Sequence, residues 1–327
     1  MKYIESNSTN PYFNLALEEY VFHHLPKDDD YFILWQNENT IVIGKYQNTV
    51  EEINQQFVDE RGIRVVRRLS GGGAVYHDAG NLNFTFIVDQ DKVADFNFRV
   101  FASPVVKTLK KFGIEAEFNG RNDITIEGCK FSGNSQYVKQ GRVLHHGCIM
   151  LDSNLTNVAD ALKVKAAKFT SKNAKSVRSR VTTINEHLAE PVSMEDFKTA
   201  LKEYILGNRQ AEAYTLSSEQ LAEVERIQKE KYETWDWNYG RAVRYTMVRE
   251  QKFPAGLVTA HMEAENGRIQ AVKFYGDFFG NGELEELERN LRGAALDENL
   301  ESRLEELHLN DYMNGVTAKE LSALLRG

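Results

Sequence analysis

The sequence predicts an α+β fold: a large domain built on a mixed β-sheet, followed by a small α/β domain. Three observations carry this expectation. Strand-like stretches come in glycine-jointed runs instead of alternating one-for-one with helices, which argues against regular βαβ winding. At 327 residues the chain exceeds the size at which a single core keeps growing. Its character also changes near residue 244, where three strand-like stretches precede a set of short helices.

The elements follow in order. Residues 10–24 read as a helix, with Asn10 as a cap, Pro11 in the first turn, and Phe13, Leu17, Tyr20 and Val21 at helical spacing. Residues 32–36 and 40–44 are strand-like around the turn Asn37-Glu38-Asn39. A helix is expected over 50–61, then a strand over 64–68 that delivers Arg67 and Arg68 into the run Gly71-Gly72-Gly73. Strand character resumes at 74–77 and 83–88, and residues 98–112 read as a helix ending at Gly113. Residues 114–118, 123–127, 130–137 and 142–151 read as strands joined by glycine-containing turns. A loop-and-helix region over 153–180 carries a basic cluster at Lys163, Lys165, Lys168, Lys172 and Lys175, either a solvated face or a contact for an acidic partner or nucleotide. Helices over 194–206 and 218–234 lead to Trp235–Gly240, where the large domain closes. Strands at 242–249, 255–263 and 268–275 and helices at 284–291, 296–307 and 318–325 form the remainder. The domains are therefore expected at 1–243 and 244–327.

Composition narrows the function. A net charge of −8 argues against general nucleic-acid or anionic-membrane binding, which needs a positive footprint. Cys129 and Cys148 have no CxxC spacing, so neither a disulfide framework nor a zinc site is indicated. The first residues lack a signal-peptide pattern and no apolar run has transmembrane length, so a cytoplasmic protein is expected.

Chemistry concentrates in three places. Three consecutive glycines between strands make sense where a ligand presses on the backbone, and the adjacent arginines make that ligand an anion. The run is no Walker A loop, lacking Gly-Lys-Ser/Thr, and strand character after Gly73 fits a dinucleotide fingerprint poorly. Arg67 and Arg68 point to opposite faces of their strand, so only one enters a given pocket. Lys130, in Gly128-Cys129-Lys130-Phe131-Ser132-Gly133, is either an exposed lysine or a charge bridging two anions. Asp123 either caps a turn or holds a hydrated Mg²⁺ on a nucleotide. His145 and His146 face opposite ways on a strand and cannot chelate one metal; one should line a pocket while the other bonds backbone.

Together these stretches resemble the two-domain lipoate–protein ligases. The resemblance rests on NPYFNLALEE (10–19), WQNENTIVIGKYQN (35–48), RRLSGGGAVYHDAGNLNFTF (67–86), GRNDI (120–124), GCKFSGNSQ (128–136), HHGCIML (145–151) and SVRSRVTTINE (176–186). It implies the biotin/lipoate ligase catalytic fold with a small accessory domain. It implies ATP-dependent activation of lipoate to lipoyl-AMP, then transfer to a lysine of a lipoyl-carrier domain. Acceptors of that kind are the E2 subunits of 2-oxoacid dehydrogenases and the glycine cleavage H protein. Carried onto this sequence, Lys130 contacts the carboxylate, the α-phosphate and later the adenylate. Arg68 and the backbone of Gly73, Ala74, Val75 and Tyr76 hold the nucleotide, with Asp123 near its Mg²⁺. Arg67, Glu18 and His146 shape the acyl-carboxylate end. Two other readings remain: an ATP-independent octanoyl- or lipoyl-transferase of the same fold, for which Cys129 or Cys148 could form a thioester, and a non-catalytic binder of lipoyl domains. The small domain, attached near Trp237–Arg244, is expected to swing after adenylation.

Overall fold

A computed structural model of the chain describes residues 1–92, 97–120, 122–162, 180–207, 212–240 and 247–327. Arg121, the lysine cluster at 163–175 and the expected boundary and hinge at 241–246 lie outside the described residues.

In chain order the strands of the N-terminal part are β1 (Lys2–Glu5), β2 (Tyr31–Trp35), β3 (Thr40–Ile43), β4 (Arg64–Arg67), β5 (Val75–His77), β6 (Asn81–Asp89), β7 (Glu117–Asn119), β8 (Asp123–Ile126), β9 (Cys129–Lys139), β10 (Arg142–Met150) and β11 (Glu212–Ala213). Eight of them form one mixed sheet in the order β11-β1-β2-β6-β10-β9-β8-β7, parallel on both sides of β1 and antiparallel from β2 onward. A small sheet, β4-β3-β5, stands beside it. Helix α1 (Pro11–His24) is capped by the Asn10 side chain, which accepts from the Tyr12 N–H. It packs Leu15, Leu17 and Val21 with Ile33, Ile87 and Leu144 of the large sheet. The opposite face is covered by the helices Phe98–Lys111 and Met194–Leu206, whose Phe101, Val105, Leu109, Phe197 and Leu201 meet Phe84, Phe86, Ile124 and Phe131.

Three details differ from the sequence reading. Strands β2 and β3 do not pair across the Asn37–Asn39 turn but belong to different sheets. Asn37 between them is fully buried and hydrogen-bonded to Asn14 and His77, so the segment is a packed crossover. The helix expected over 50–61 is broken into Thr49–Glu52 and Gln55–Arg61, because Ile53 bridges to Leu162 and the Asn54 N–H donates to Ala161. The helix from Ser218 ends at Ile227 and continues as a π-turn over Gln228–Tyr232, which buries Tyr232 with its hydroxyl on Glu19.

The C-terminal part is an antiparallel sheet, β12 (Met247–Phe253), β13 (Gly256–Glu265) and β14 (Arg268–Gly276), followed by helices that include Leu284–Asn290, Asn299–Glu306 and Ala318–Arg326. It has its own core around Val258, Met262, Phe274, Leu287, Leu304 and Leu321. Tyr46 of the N-terminal part joins that core, stacked on Phe278 at 5.0 Å with its hydroxyl donating to the Gly280 carbonyl. The α+β class, with a mixed sheet and a small appended α/β unit, is therefore what the chain adopts. No helix among the described residues is long and apolar enough to cross a membrane.

Candidate active site

Strand register builds the site. On the face covered by α1, three successive rows run across the sheet, because residues two apart share a face. The first row is Tyr31, Ile87, Leu144 and Tyr137, all buried and mostly apolar. The second is Ile33, Thr85, His146 and Ser135. The third is Trp35, Asn83, Cys148, Gly133 and Asp123. The apolar face thus turns polar over two rows, and there a pocket of about 570 Å³ opens, solvent included. Its walls include Leu15, Val42, Arg68, Gly73, Ala74, Val75, His77 and Lys130.

Lys130 reaches this floor through a β-bulge. Pairing of β8 with β9 runs Asp123 to Gly133 and Ile124 to Ser132, then slips so that Thr125 pairs with Lys130. The extra residue, Phe131, goes fully buried into the opposite core. Regular pairing would have aimed Lys130 into that core; the bulge re-aims it onto the pocket face. Gly133 leaves room for it, since a Cβ there would stand 2.9 Å from Nζ. Nζ pairs with Asp123 Oδ1 at 2.7 Å, and a third of each side chain remains accessible. Burial presses the ammonium toward neutrality, but the Asp123 carboxylate outweighs it and the net shift is upward. Lys130 is a fixed positive charge at neutral pH.

The glycine run has two duties. A Cβ on Gly71 would lie 2.3 Å from the Phe278 carbonyl oxygen, and Gly72, at φ +87°, would press on the Phe279 ring. These two glycines admit the C-terminal part. Gly73 faces open space, and neither its N–H nor that of Ala74 has an acceptor among the described residues. Arg68 enters the pocket wall but spends its donors locally, on Ser70 Oγ and on the carbonyls of Val42, Gly71 and Gly73.

The remaining expected residues fall into separate places. His146 lines the pocket, with Nε2 2.6 Å from Ser70 Oγ and Nδ1 3.0 Å from Glu18 Oε1. Glu18 is 3% exposed and stands behind His146, also accepting from Thr85. This is the order of a Ser–His–acid triad, but Ser70 is 1% exposed, off the pocket wall and bonded by Arg68, so it holds His146 and does not attack. His145 lies on the other face and bonds the side chains of Gln136 and Asn134, not backbone as the sequence reading had it. Arg67 is outside this pocket. Its guanidinium donates to the carbonyls of Gly44, Lys45, Gln47, Trp237 and Asn238 and to Thr49 Oγ1, and it borders a second cleft with Tyr275. It ties the turn after β3 to the segment at Trp237. The Tyr76 side chain is buried against Ile41 and Val65 with its hydroxyl on Asn39, so only its backbone is near the run. Among the described residues no group of three or more His, Cys, Asp or Glu could hold a metal.

Trp35, His77, Asn83 and Cys148 line the pocket without having been singled out there by sequence reasoning, apart from Cys148 as a thioester candidate. The signal was present in Asn81-Leu82-Asn83-Phe84-Thr85: polar residues at every second position of a buried strand mark a polar floor.

Comparison with known proteins shows the family. Residues 10–206 match the family model of the lipoyl protein ligase A/B catalytic domain, and residues 242–325 that of the bacterial lipoate protein ligase C-terminus. The chain is 44% identical to lipoate–protein ligase 1 of Staphylococcus aureus, covering 99% of this chain and 100% of that one. It is 42% identical to the lipoate-protein ligase LplJ of Bacillus subtilis, with the same coverage. In structure it is similar to P. falciparum LipL1, solved in complex with lipoate, with a TM-score of 0.79 at 24% identity over 99% of this chain and 98% of that one. A bi-partite lipoate protein ligase of Thermoplasma acidophilum, studied with its E2 lipoyl domain, gives 0.66 at 26% identity over 75% and 98%. A polar pocket on a mixed sheet, a lysine delivered by a bulge and an appended C-terminal unit are thus set in a chain that belongs to the lipoate–protein ligase family.

Proposed function

We propose that the protein activates lipoate with ATP and transfers the lipoyl group to a lysine of lipoyl-carrier domains. The observation that carries this reading is Lys130: a charged ammonium lining the same pocket as Gly73 and Ala74, whose N–H groups have no acceptor among the described residues. Bringing a carboxylate to a phosphate sets two anions against each other, and the site answers with one cation and backbone donors. A carboxylate oxygen attacks the α-phosphorus, the bond to the bridging oxygen breaks, and pyrophosphate leaves. The ε-amine of the acceptor lysine then attacks the carbonyl carbon of the anhydride, AMP leaves, and the amine loses a proton. Lys130 serves both steps as a charge, because an ammonium held protonated is no nucleophile.

Arg68 acts through the glycine run, whose carbonyls it holds, while Gly73, Ala74 and the Val75–Tyr76 backbone form the nucleotide wall. His146, fixed by Glu18 and Ser70, shapes the acyl side; Arg67 supports the wall from behind. Asp123, with a third of its side chain accessible, would supply a single carboxylate for magnesium carried on the nucleotide, where the metal would neutralise phosphate charge. The acceptors we propose are E2 lipoyl domains and the glycine cleavage H protein; the Thermoplasma ligase, studied with its own E2 lipoyl domain, supports the first. The thioester alternative has a thiol on the pocket floor but no base for it, since His146 is engaged by Ser70 and Glu18. Lipoate-dependent exchange of pyrophosphate into ATP tests the reading. Exchange lost in Lys130→Ala with the fold retained is expected; exchange absent from the unaltered protein would overturn it.

A further inference from the structure

Two buried side-chain atoms of residues lining the pocket have no partner among the described residues: Nε2 of His77 and Nδ2 of Asn83. His77 is 3% exposed and Asn83 1%, and both line the pocket. The His77 tautomer is set by its neighbours. Asn14 Nδ2 donates to the carbonyls of Ser8 and Gln36, which fixes that amide, and to Asn37 Oδ1 at 3.0 Å. Asn37 therefore presents Nδ2 to His77 Nδ1, 3.2 Å away, and the ring proton belongs on Nε2. Burial, with Arg68 and His146 adding to it, lowers the imidazole to about 3, so the ring is neutral at any working pH. Asn83 Oδ1 is taken by Asn81 Nδ2 at 3.0 Å, which turns the Asn83 N–H₂ away from Asn81.

Register supplies the distance. Asn83 on β6 is two strands from Gly133 on β9, above which the Lys130 ammonium sits, a separation of about 10 Å. An acid of about eight carbons with its carboxylate at Lys130 spans the distance to Asn83, and His77 lines the same pocket. Buried polar groups of this kind are ordinarily satisfied by water when no ligand is bound. An all-carbon tail displaces that water and returns nothing, whereas ring sulfurs or another acceptor atom return a hydrogen bond.

We propose that His77 and Asn83 are specificity-determining residues that select acids carrying acceptor heteroatoms at the far end, and so favour the dithiolane of lipoate over unsubstituted medium-chain acids. This rests on the lipoate-activating function proposed above. The test is kcat/KM for pyrophosphate exchange with lipoate and with octanoate, measured on the same preparations so that any unfolded fraction cancels from the ratio. Leaving one buried donor unpaired is worth about tenfold, so the unaltered enzyme should prefer lipoate by at least that factor. His77→Phe and Asn83→Leu should each bring the ratio down about tenfold. His77→Gln, which keeps an N–H donor, should retain most of the preference. A ratio near one in the unaltered enzyme, or a ratio unmoved by both His77→Phe and Asn83→Leu, overturns the proposal. Exchange with neither acid overturns the lipoate-activating function instead.

Discussion

One methyl group at position 133 isolates what Lys130 does. The Cβ added by Gly133→Ala would stand 2.9 Å from Lys130 Nζ and 3.0 Å from its Cε, but an ordinary 3.9 Å from Cys148 Sγ. Carbon contacts settle at about 3.5–4.0 Å, so the lysine must retreat by about 0.5–1 Å. Its 2.7 Å bond to Asp123 is then lost or lengthened. The cost to folding is small. That pair is a third exposed and worth about 0.2–1 kcal/mol, while replacing a strand glycine by alanine returns about 0.5–1 kcal/mol. The cost to activation is large, because a misplacement of about 1 Å at a reacting centre costs about 100-fold. Thermal unfolding should therefore move by less than about 3 °C, while lipoate-dependent pyrophosphate exchange falls about 100-fold. If the methyl acts through Lys130, adding it to Lys130→Ala should cost nothing further. Additive losses in the double variant, or near-normal exchange in Gly133→Ala, would refute this account of Lys130.

Other perturbations separate scaffold from chemistry. Arg67→Met leaves the carbonyls of Lys45, Gln47 and Trp237 without their donor, so denaturant titration should show a loss of about 3 kcal/mol or more, and equilibrium dialysis should show unaltered lipoate affinity in the protein that remains folded. His77, lowered to about 3, and His145, lowered well below its usual value, stay neutral when folded. The unfolded chain takes up those protons below its own pKa near 6.5, so stability is full above that pH and falls as pH drops toward 3, by up to about 1.4 kcal/mol per pH unit for each ring. Denaturation midpoints from pH 7 to 4 should show this slope, shallower in His77→Phe; equal slopes would count against it. Cys148→Ser should keep ligase activity, whereas alkylation of the unaltered protein should block it, since the adduct would fill the floor beside Lys130; inactivation of Cys148→Ser at the same rate would place the effect at Cys129 or elsewhere.

Much of the architecture was legible because it is local. Hydrophobic spacing marked α1 and the long strands, and the strand-then-helix order of the C-terminal part is the one the structure shows. The opposite facing of Arg67 and Arg68 followed from strand geometry alone. Where each one went did not, because it depends on partners distant in sequence: Trp237 and Asn238 for Arg67, and the folded-back glycine run for Arg68. The glycines read as an anion cradle, yet Gly71 is a glycine for the sake of the Phe278 carbonyl, more than two hundred residues on. His77 and Asn83 were hidden for the same reason. Asn83 takes its meaning from a register that aligns four strands, and His77 from a second sheet brought to the same pocket; a one-strand pattern reveals only that a polar face exists.

The bulge in β9 also makes the site a matter of counting. From Gly133 onward the odd-numbered residues of that strand face the pocket, while before it the even-numbered Lys130 does. The strand therefore carries two opposite phases of alternation, joined across Phe131 and Ser132. Substitution at either joint residue changes packing but leaves the phase intact. Adding or removing one residue there forces a choice between halves, with the lysine or the Gly133–Ser135–Tyr137 face turned to the wrong side. Between Lys130 and Gly133 the protein should tolerate a change of residue far better than a change of length.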